Sequence, residues 1–218
     1  MPFLVEVWGE YACFSRPEMK VERVSYDVMT PSAARGLLEA IYWHPGLRWV
    51  IDRIHVLNEI AFTNIRRNEV KSKVLASNVR SVMNGADAPL YISTTKDIQQ
   101  RAAMVLRDVH YVIEAHFELV PEKMAPGDNE GKFCDIMTRR LKKGQCYHQP
   151  CFGTREFPAC FRQWEGDDIP AAYPGEEKEL GYMLYDMDYS DTDNITPMFF
   201  KARLAGGVLD VRDCEVFR

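Results

Sequence analysis

The segment RDVHYVIEAHFELV at residues 107–120 alternates between two kinds of side chain. The odd positions from Val109 to Leu119 are apolar throughout, whereas the even positions of this stretch are mostly polar: His110, Val112, Glu114, His116 and Glu118. Because successive side chains of a β-strand point to opposite faces, this pattern predicts a strand with one buried face and one half-polar face. The fold must therefore cover one side of a sheet and leave ionisable groups on the other.

A helix is predicted upstream of this strand, in the segment TPSAARGLLEAIYW. Thr30 has a side chain suited to the N-cap, and Pro31 is favoured at the first helical position. Pro45 cannot continue a helix, so the helix is expected to end before it. This placement predicts that Tyr42 lies in the last helical turn, near the edge of the apolar stripe.

The other segments complete an α+β pattern. FLVEVWGEYACF predicts a first strand, and LRWVIDRIHV predicts a second strand whose apolar alternation slips between Ile51 and Ile54, which indicates a bulge or bend. The polar stretch 66–80 predicts an insert outside the core, and 132–143 predicts a helix that stops at Gly144. Beyond 145, short strand-like segments with Gly and Pro predict a β-rich region.

Charge is segregated along the chain, although the formal net charge is −5. Residues 66–80 contain five basic residues and one acidic residue, and so do residues 132–143. The acidic residues gather in 165–193 instead. Two local excesses of positive charge on an acidic protein favour contacts with phosphate groups, even though each basic residue alone is typical of a solvated surface.

Composition excludes several classes of protein. No apolar run approaches the ~18 residues that a membrane helix needs, and the N-terminus lacks the basic region of a signal peptide. We therefore expect a cytoplasmic protein. The six cysteines show no paired framework, and in such a chain we expect them to be reduced.

Two residues are candidates for catalysis, Tyr42 and His116. A buried tyrosine is most often a core ring whose hydroxyl has found a partner, and a strand histidine is often satisfied by a neighbouring carboxylate. His110 shares the polar face of the strand with His116 but lies roughly 20 Å away, at ~3.3 Å per residue. His116 is favoured because its end of the strand is closer to the basic helix.

Metal binding was considered for CYHQPC at 146–151, with Cys134 and Cys160 as further ligands. This spacing does not match the paired ligands of a structural zinc site, so no metal is predicted. No phosphate-binding loop or dinucleotide motif is present in the sequence, so no cofactor is predicted. RNA can be cleaved without a metal or a cofactor if a base removes the proton of a ribose 2′-hydroxyl and a cation stabilises the phosphate.

Four segments together resemble the CRISPR-associated Cas-five family, in its d-type variant from subtype I-C systems. They are VWGEYACF with its continuation through IYW, DVHYVIEAHFEL, LGYMLYDMDY and the long string from NEGK through RR to FGTREFPA. The resemblance extends from Phe3 to about Tyr189. It implies a ferredoxin-like, RRM-related N-terminal domain of the RAMP type with a β-rich C-terminal extension. Because the composition changes after Pro121, we expect the RAMP domain at 1–121 and a basic helix with a β-rich C-terminal region at 122–218.

The resemblance also implies a function: metal-independent cleavage of CRISPR repeat RNA at the base of its hairpin. The 2′-hydroxyl would attack, leaving a 2′,3′-cyclic phosphate, and the protein would retain the 5′ handle within a Cascade complex. Its expected partners are the repeat RNA and the backbone and large subunits. Duplex DNA is a further candidate partner, and no membrane is expected. The alternative is a subunit that binds the 5′ handle without cutting.

Family catalysis is assigned to a tyrosine, a histidine and a lysine. The tyrosine of IYW matches Tyr42 and the strand histidine matches His116, but the lysine expected beside the histidine is replaced by Ala115. Lys132 is therefore predicted to supply the cation, with Arg140 as the other possibility. The predicted RNA contacts are the two basic clusters: Arg66, Arg67, Lys71, Lys73, Arg139, Arg140, Lys142 and Lys143.

Overall fold

A computed structural model describes residues 2–19 and 21–218 as an α+β fold with a large antiparallel sheet. The α-helices are α1 (Pro31–Ile41), α2 (Ala76–Met83) and α3 (Glu130–Lys143), and a short 3-10 helix (Pro121–Lys123) precedes α3. The strands are β1 (Phe3–Ala12), β2 (Leu47–Val56), β3 (Phe62–Val70), β4 (Ile98–Leu119), β5 (Cys160–Gln163), β6 (Glu177–Asp188), β7 (Thr196–Ala205), β8 (Val208–Asp210) and β9 (Val216–Phe217).

The chain divides into two compact units. The larger unit contains the residues up to Thr63 together with Met104–Arg218, and the smaller unit is Asn64–Ala103. Within the smaller unit, β3 pairs with β4, and an ion pair of 3.2 Å joins Glu69 to Arg101. The described residues of α2 are all exposed or half-buried. The prediction that the polar stretch 66–80 lies outside the core is confirmed.

The sheet of the larger unit has the strand order β5-β1-β4-β2-β8-β7-β6, with β9 paired to β7. β4 lies between β1 and β2 and runs antiparallel to both, with Phe3 opposite Ala115 and Trp49 opposite Phe117. The predicted central strand is confirmed, although it is longer than its alternating segment. β5 follows α3 in the chain and pairs antiparallel with the outer side of β1.

The start of α1 is as predicted, but its end is not. The Thr30 hydroxyl oxygen accepts a hydrogen bond from the Ala33 amide at 3.2 Å, which caps the helix. The helix ends at Ile41, and Tyr42 is extended, with φ −148° and ψ 117°. The prediction of Tyr42 in the last turn was wrong because the Trp49 indole donates to the Tyr42 carbonyl at 2.8 Å, which ties that residue to β2.

Helices α1 and α3 cover one face of the sheet. Phe133 of α3 lies 6.1 Å from Phe117 of β4 between ring centroids, and the α1 residues Leu38 and Ile41 are fully buried. These contacts identify the face of β4 that carries Phe117 and Ile113 as the one under the helices. His116 precedes Phe117, so its side chain projects from the opposite face.

The slip of alternation in β2 corresponds to a β-bulge. Ile51 pairs with Ala115 and Arg53 pairs with Glu114, so Asp52 is an extra residue on β2. The bulge keeps both Ile51 and Ile54 buried on the helix side of the sheet. It therefore resolves the conflict between a continuous strand and an apolar spacing of three, and the predicted irregularity is confirmed.

The turn at 152–157 holds the C-terminal region against β1 and the loop after it. Phe152 donates its amide to the Phe157 carbonyl at 2.8 Å and accepts from the Cys13 amide at 3.0 Å. Gly153 has φ +81°, and a Cβ built on it would lie 2.0 Å from the Cys13 carbonyl oxygen. The string FGTREF thus needs glycine for both conformation and space.

None of the helices in the described part of the chain is long and apolar enough to cross a membrane.

Substitution of Gly153 tests this close approach. We expect Gly153→Ala to lower the free energy of unfolding by about 2–4 kcal/mol, because it adds both backbone strain and a steric clash. Gly36→Ala is the matched control: Gly36 lies inside α1, and a Cβ there meets nothing within 4 Å. The control should be neutral or stabilising by about 0.5–1 kcal/mol in urea unfolding. Equal stability of the two variants would contradict the tight packing at Gly153.

Candidate functional site

Tyr42 is buried beside the basic helix α3. Only 5% of the residue is exposed, its ring centroid lies 6.3 Å from that of Phe133, and the Arg140 guanidinium lies 5.1 Å from the Tyr42 ring centroid. The ring therefore packs as a core aromatic residue would. Arg140 also donates a hydrogen bond to the Ile41 carbonyl at the end of α1.

The hydroxyl of Tyr42 differs from that of an ordinary core tyrosine. Within residues 2–19 and 21–218, the structure gives it no hydrogen-bond partner. Burial raises the pKa of Tyr42, and the nearby Arg140 charge opposes that rise. A phenol with a raised pKa keeps its proton at neutral pH, so Tyr42 is suited to donating a hydrogen bond or a proton rather than to acting as a base.

Lys132 lies in the first turn of α3 and forms an ion pair with Asp128. Its ammonium is 2.8 Å from an Asp128 carboxylate oxygen, and this ion pair holds the pKa of Asp128 below its usual range. The buried Asp128 also accepts the Ala125 amide and lies 3.5 Å from His44 Nε2. A role of Lys132 as a free cation would therefore require this pair to open.

His116 is the more exposed of the two candidate rings. Its Nδ1 lies 2.8 Å from an Asp52 carboxylate oxygen, and 42% of its side chain is accessible. The Asp52 side chain is only 14% exposed. This arrangement leaves Nε2 of His116 available to a substrate, while the carboxylate orients the ring.

His116 opens into a cavity of about 440 Å³ beside the first residues of β1. β1 begins beside Ala115, so the next residues of β4 extend past it, and both His116 and Phe117 reach the cavity. The lining also includes the acidic residues Asp52, Glu114 and Glu130 and one arginine, Arg212. Tyr42 is not one of the described residues that line it.

The geometry thus places the predicted catalytic residues in two settings. Tyr42 packs against Phe133 on the helix side of the sheet, and Lys132 lies on the same helix α3 as Phe133. His116 projects from the other face of β4, into a cavity that Glu130 and Cys134 of α3 also line. The structure therefore does not bring Tyr42 and His116 into one described cavity, and their catalytic roles stay predictions.

The predicted RNA contacts are accessible with one partial exception. Arg140 is half-buried against α1, whereas the other seven are exposed: Arg66, Arg67, Lys71, Lys73, Arg139, Lys142 and Lys143. The last turn of α3 carries Arg140, Lys142 and Lys143, where basic residues also favour the helix dipole. These residues are thus placed both to stabilise the end of the helix and to meet a ligand at the surface.

Within the described ranges, no group of three or more His, Cys, Asp or Glu side chains is arranged to hold a metal ion. The six cysteines lie in this part of the chain as free thiols.

Sequence reasoning missed Asp52 and Arg212 as neighbours of His116. The slip of alternation between Ile51 and Ile54 was the available signal for Asp52, because a bulge re-aims the side chain beside it. No local pattern indicated Arg212, which comes from beyond β8, about a hundred positions away in the chain from His116.

Comparisons with known proteins agree on one family. The model of the Cas5d family, described as "CRISPR-associated protein (Cas_Cas5)", matches residues 3–212. A protein of Mannheimia succiniciproducens named CRISPR pre-crRNA endoribonuclease Cas5d is 50% identical over 212 residues, covering 95% of this chain and 93% of the relative. A protein of Thermus thermophilus with the same name is 42% identical over 224 residues, covering 95% of this chain and 90% of the relative.

A solved structure shows the same fold. The crystal structure of a CRISPR-associated protein superposes with a TM-score of 0.72, at 23% sequence identity, over 100% of this chain and 97% of the other.

The contacts of Arg140 distinguish it from its exposed neighbour Arg139. We expect Arg140→Ala to lower the free energy of unfolding by about 1–2 kcal/mol, because the variant loses a hydrogen bond to a helix carbonyl and a cation–π contact. Arg139→Ala should change it by less than about 0.5 kcal/mol. Chemical denaturation measures both, and a change in Arg139→Ala as large as that in Arg140→Ala would contradict the structural role.

Proposed function

This chain belongs to the Cas5d family of CRISPR-associated proteins, and we propose that it is a pre-crRNA endoribonuclease. The observation that carries the proposal is the 50% identity, over 95% of this chain, to a relative named CRISPR pre-crRNA endoribonuclease. The match covers nearly the whole length of both proteins. The range matched by the family model, residues 3–212, contains every candidate residue.

The finer architecture belongs to the same proposal. The element order β1-α1-β2, β4-α3-β5 and the sheet order β5-β1-β4-β2 support a ferredoxin-like, RRM-related domain of the RAMP type, because such a domain has a β-α-β-β-α-β order. The remaining strands form the β-rich C-terminal extension. The domain boundary at 121/122 stays a prediction, and a domain defined by these strand pairings would continue to Gln163.

The proposed reaction is metal-independent transesterification within CRISPR repeat RNA, at the base of its hairpin. A base takes the proton of the ribose 2′-hydroxyl, and that oxygen forms a bond to the adjacent phosphorus. The bond from phosphorus to the 5′-oxygen breaks, and that oxygen leaves with a proton as a 5′-hydroxyl. The other product is a 2′,3′-cyclic phosphate, so base, acid and cation suffice.

Within this reaction we assign roles by protonation and access. His116 has a free Nε2 beside a cavity and would take the 2′-hydroxyl proton. Tyr42, whose pKa burial raises, would donate to the phosphate or to the leaving oxygen. Lys132 would steady the phosphate once RNA displaces its Asp128 partner. Tyr42 and His116 lie on opposite faces of the sheet. For both to act on one phosphate, the RNA must reach both side chains or the chain must move to bring them together.

The basic clusters are the proposed contacts with the RNA backbone. They are Arg66, Arg67, Lys71 and Lys73 in the smaller unit and Arg139, Arg140, Lys142 and Lys143 on α3. Phosphate neutralisation by such residues is independent of base sequence, so hairpin recognition would depend on shape and on unpaired flanking bases. Retention of the 5′ handle and assembly with the backbone and large subunits of a type I-C Cascade are parts of this proposal.

One observation favours a second candidate, a crRNA-binding subunit without catalysis. Ala115, beside His116, is fully buried and apolar, so it supplies no cation. The cavity at His116 is lined by three carboxylates against one arginine, which is unfavourable for a phosphate. Duplex DNA is a further candidate ligand of the same basic clusters, and competition with hairpin RNA at physiological salt would rank the two.

Incubation with cognate repeat RNA in excess EDTA separates the enzyme from the subunit. We expect cleavage at a single position, with a product that carries a 2′,3′-cyclic phosphate, because the proposed base and acid are side chains. Gel analysis of phosphatase treatment with and without prior acid hydrolysis identifies that end, because only the ring-opened monoester loses its phosphate. Tight binding of intact RNA, with no cleavage with or without added divalent cations, would support the non-catalytic subunit instead.

Substitutions of the two rings test the site separately. We expect Tyr42→Phe and His116→Ala each to slow single-turnover cleavage by about 10²–10⁴-fold, because each removes a proton-transfer group. RNA affinity, measured by fluorescence anisotropy, should change little, since neither ring is a phosphate contact in the proposal.

The matched controls are Tyr182→Phe, an exposed tyrosine on β6, and His110→Ala. His110 lies on the same face of β4 as His116 and is also paired to a carboxylate, Glu6, at 2.8 Å. Both controls should cleave at the parental rate. If Tyr42→Phe and His116→Ala both cleave at the parental rate, the assigned catalytic site is wrong.

A further inference from the structure

The bulge in β2 has a specific effect on Asp52. Because Ile51 and Arg53 take the positions opposite Ala115 and Glu114, Asp52 has no cross-strand partner of its own on β4. Its carbonyl oxygen instead accepts the Val211 amide at 3.0 Å, from the segment after β8. Asp52 is thus anchored through its backbone, and its side chain is free to turn toward His116.

The Asp52 carboxylate is directed at one atom. Its Oδ2 lies 2.8 Å from His116 Nδ1, at the distance of a strong hydrogen bond. The Asp52 side chain is largely shielded, with 14% exposed, whereas 42% of the His116 side chain is exposed. A shielded carboxylate behind an accessible imidazole holds the proton on Nδ1 and leaves the Nε2 lone pair toward the cavity.

Two other histidines on this sheet provide an internal comparison. Glu6 binds His110 but also Arg162, and Glu114 lies near His55 but also binds Arg53. Those carboxylates belong to ion-pair networks in which an arginine is the main partner. Within the described part of the chain, His116 is the one side chain that Asp52 bonds. Asp52 therefore interacts with His116 alone among these side chains. This is expected of a carboxylate that orients an imidazole ring, not of one that neutralises an arginine.

We propose that Asp52 is a positioning residue for His116, which sets its tautomer and its direction for removal of the 2′-hydroxyl proton. This inference rests on the proposed endoribonuclease function. The role follows from the bulge: in a regular strand Arg53 would face the helices and the Asp52 carboxylate would lie opposite Glu114, where two carboxylates repel. Asp52, the extra residue of the bulge in β2, is thus the residue that hydrogen-bonds the His116 imidazole.

The test is the isosteric substitution Asp52→Asn, which keeps the size of the side chain and allows the amide to bond the wrong tautomer. In single-turnover cleavage of cognate repeat RNA by the full chain, the rate should fall on the order of 10²-fold. RNA affinity should stay within about twofold, because Asp52 makes no proposed phosphate contact. Asp52→Glu, which restores a carboxylate, should recover part of the rate.

Glu118→Gln is the matched control for loss of charge. Glu118 lies two residues after His116 on β4, and its carboxylate is bonded to Arg48 rather than to an imidazole. This variant should cleave at the parental rate. Equal losses in Glu118→Gln and Asp52→Asn would show a general effect of charge and overturn the positioning role.

A double variant and a spectroscopic measurement separate positioning from folding. Asp52→Asn should add no further loss to His116→Ala, since Asp52 acts only through that ring. In nitrogen NMR spectra of the parental protein, the neutral form of His116 should carry its proton on Nδ1, and Asp52→Asn should shift the tautomer balance. Additive losses, or an unchanged tautomer, would overturn the inference.

The outcome also distinguishes this inference from the proposed function. If His116→Ala is inactive while Asp52→Asn cleaves normally, the positioning role is wrong and the endoribonuclease site stands. If His116→Ala itself cleaves at the parental rate, the assigned site is wrong, and Asp52 has no role through it.

Discussion

The structure depends on a single strand that separates two chemical environments. β4 pairs with β1 on one side and β2 on the other, and its alternate side chains point to opposite faces. Phe117 and Ile113 pack under the helices, whereas His116 and Glu114 face the other way. Any one-residue shift in this register would bury carboxylates and imidazoles and expose the core, so burial fixes the register.

The two faces carry different electrostatics. On the helix side, α3 presents a run of basic residues at its C-terminal end, close to the buried ring of Tyr42. On the opposite side, Asp52 and Glu114 lie near His116 together with one arginine, Arg212, and both His110 and His116 are paired with an acid. In the proposed reaction, a ribose–phosphate step would be attracted to the first environment, whereas proton transfer would be better organised in the second. The proposed cleavage of RNA would therefore need both the basic environment at α3 and the environment around His116.

Much of the fold could be predicted from local patterns. The Thr30 cap, the Gly144 stop and the bulge between Ile51 and Ile54 all follow from rules that act over a few residues. The candidate site could not be predicted to the same depth, because its contacts join distant segments. The ion pair of Asp128 and Lys132 could be predicted, because the two residues are four positions apart in the sequence. The packing of Arg140 on Tyr42 could not, because it depends on how α3 packs against the end of α1.

The burial of Ala115 limits how this protein can place a positive charge next to its strand imidazole. Adjacent positions on a strand diverge, so a longer side chain at 115 would enter the layer beneath the helices, not the open space that His116 occupies. An ammonium group there would be stripped of water among aromatic rings. Sequence adjacency to the histidine is consequently a poor guide to which cation meets the phosphate. In the proposed reaction the cation comes from another segment of the chain, Lys132 in the first turn of α3, once its ion pair with Asp128 opens.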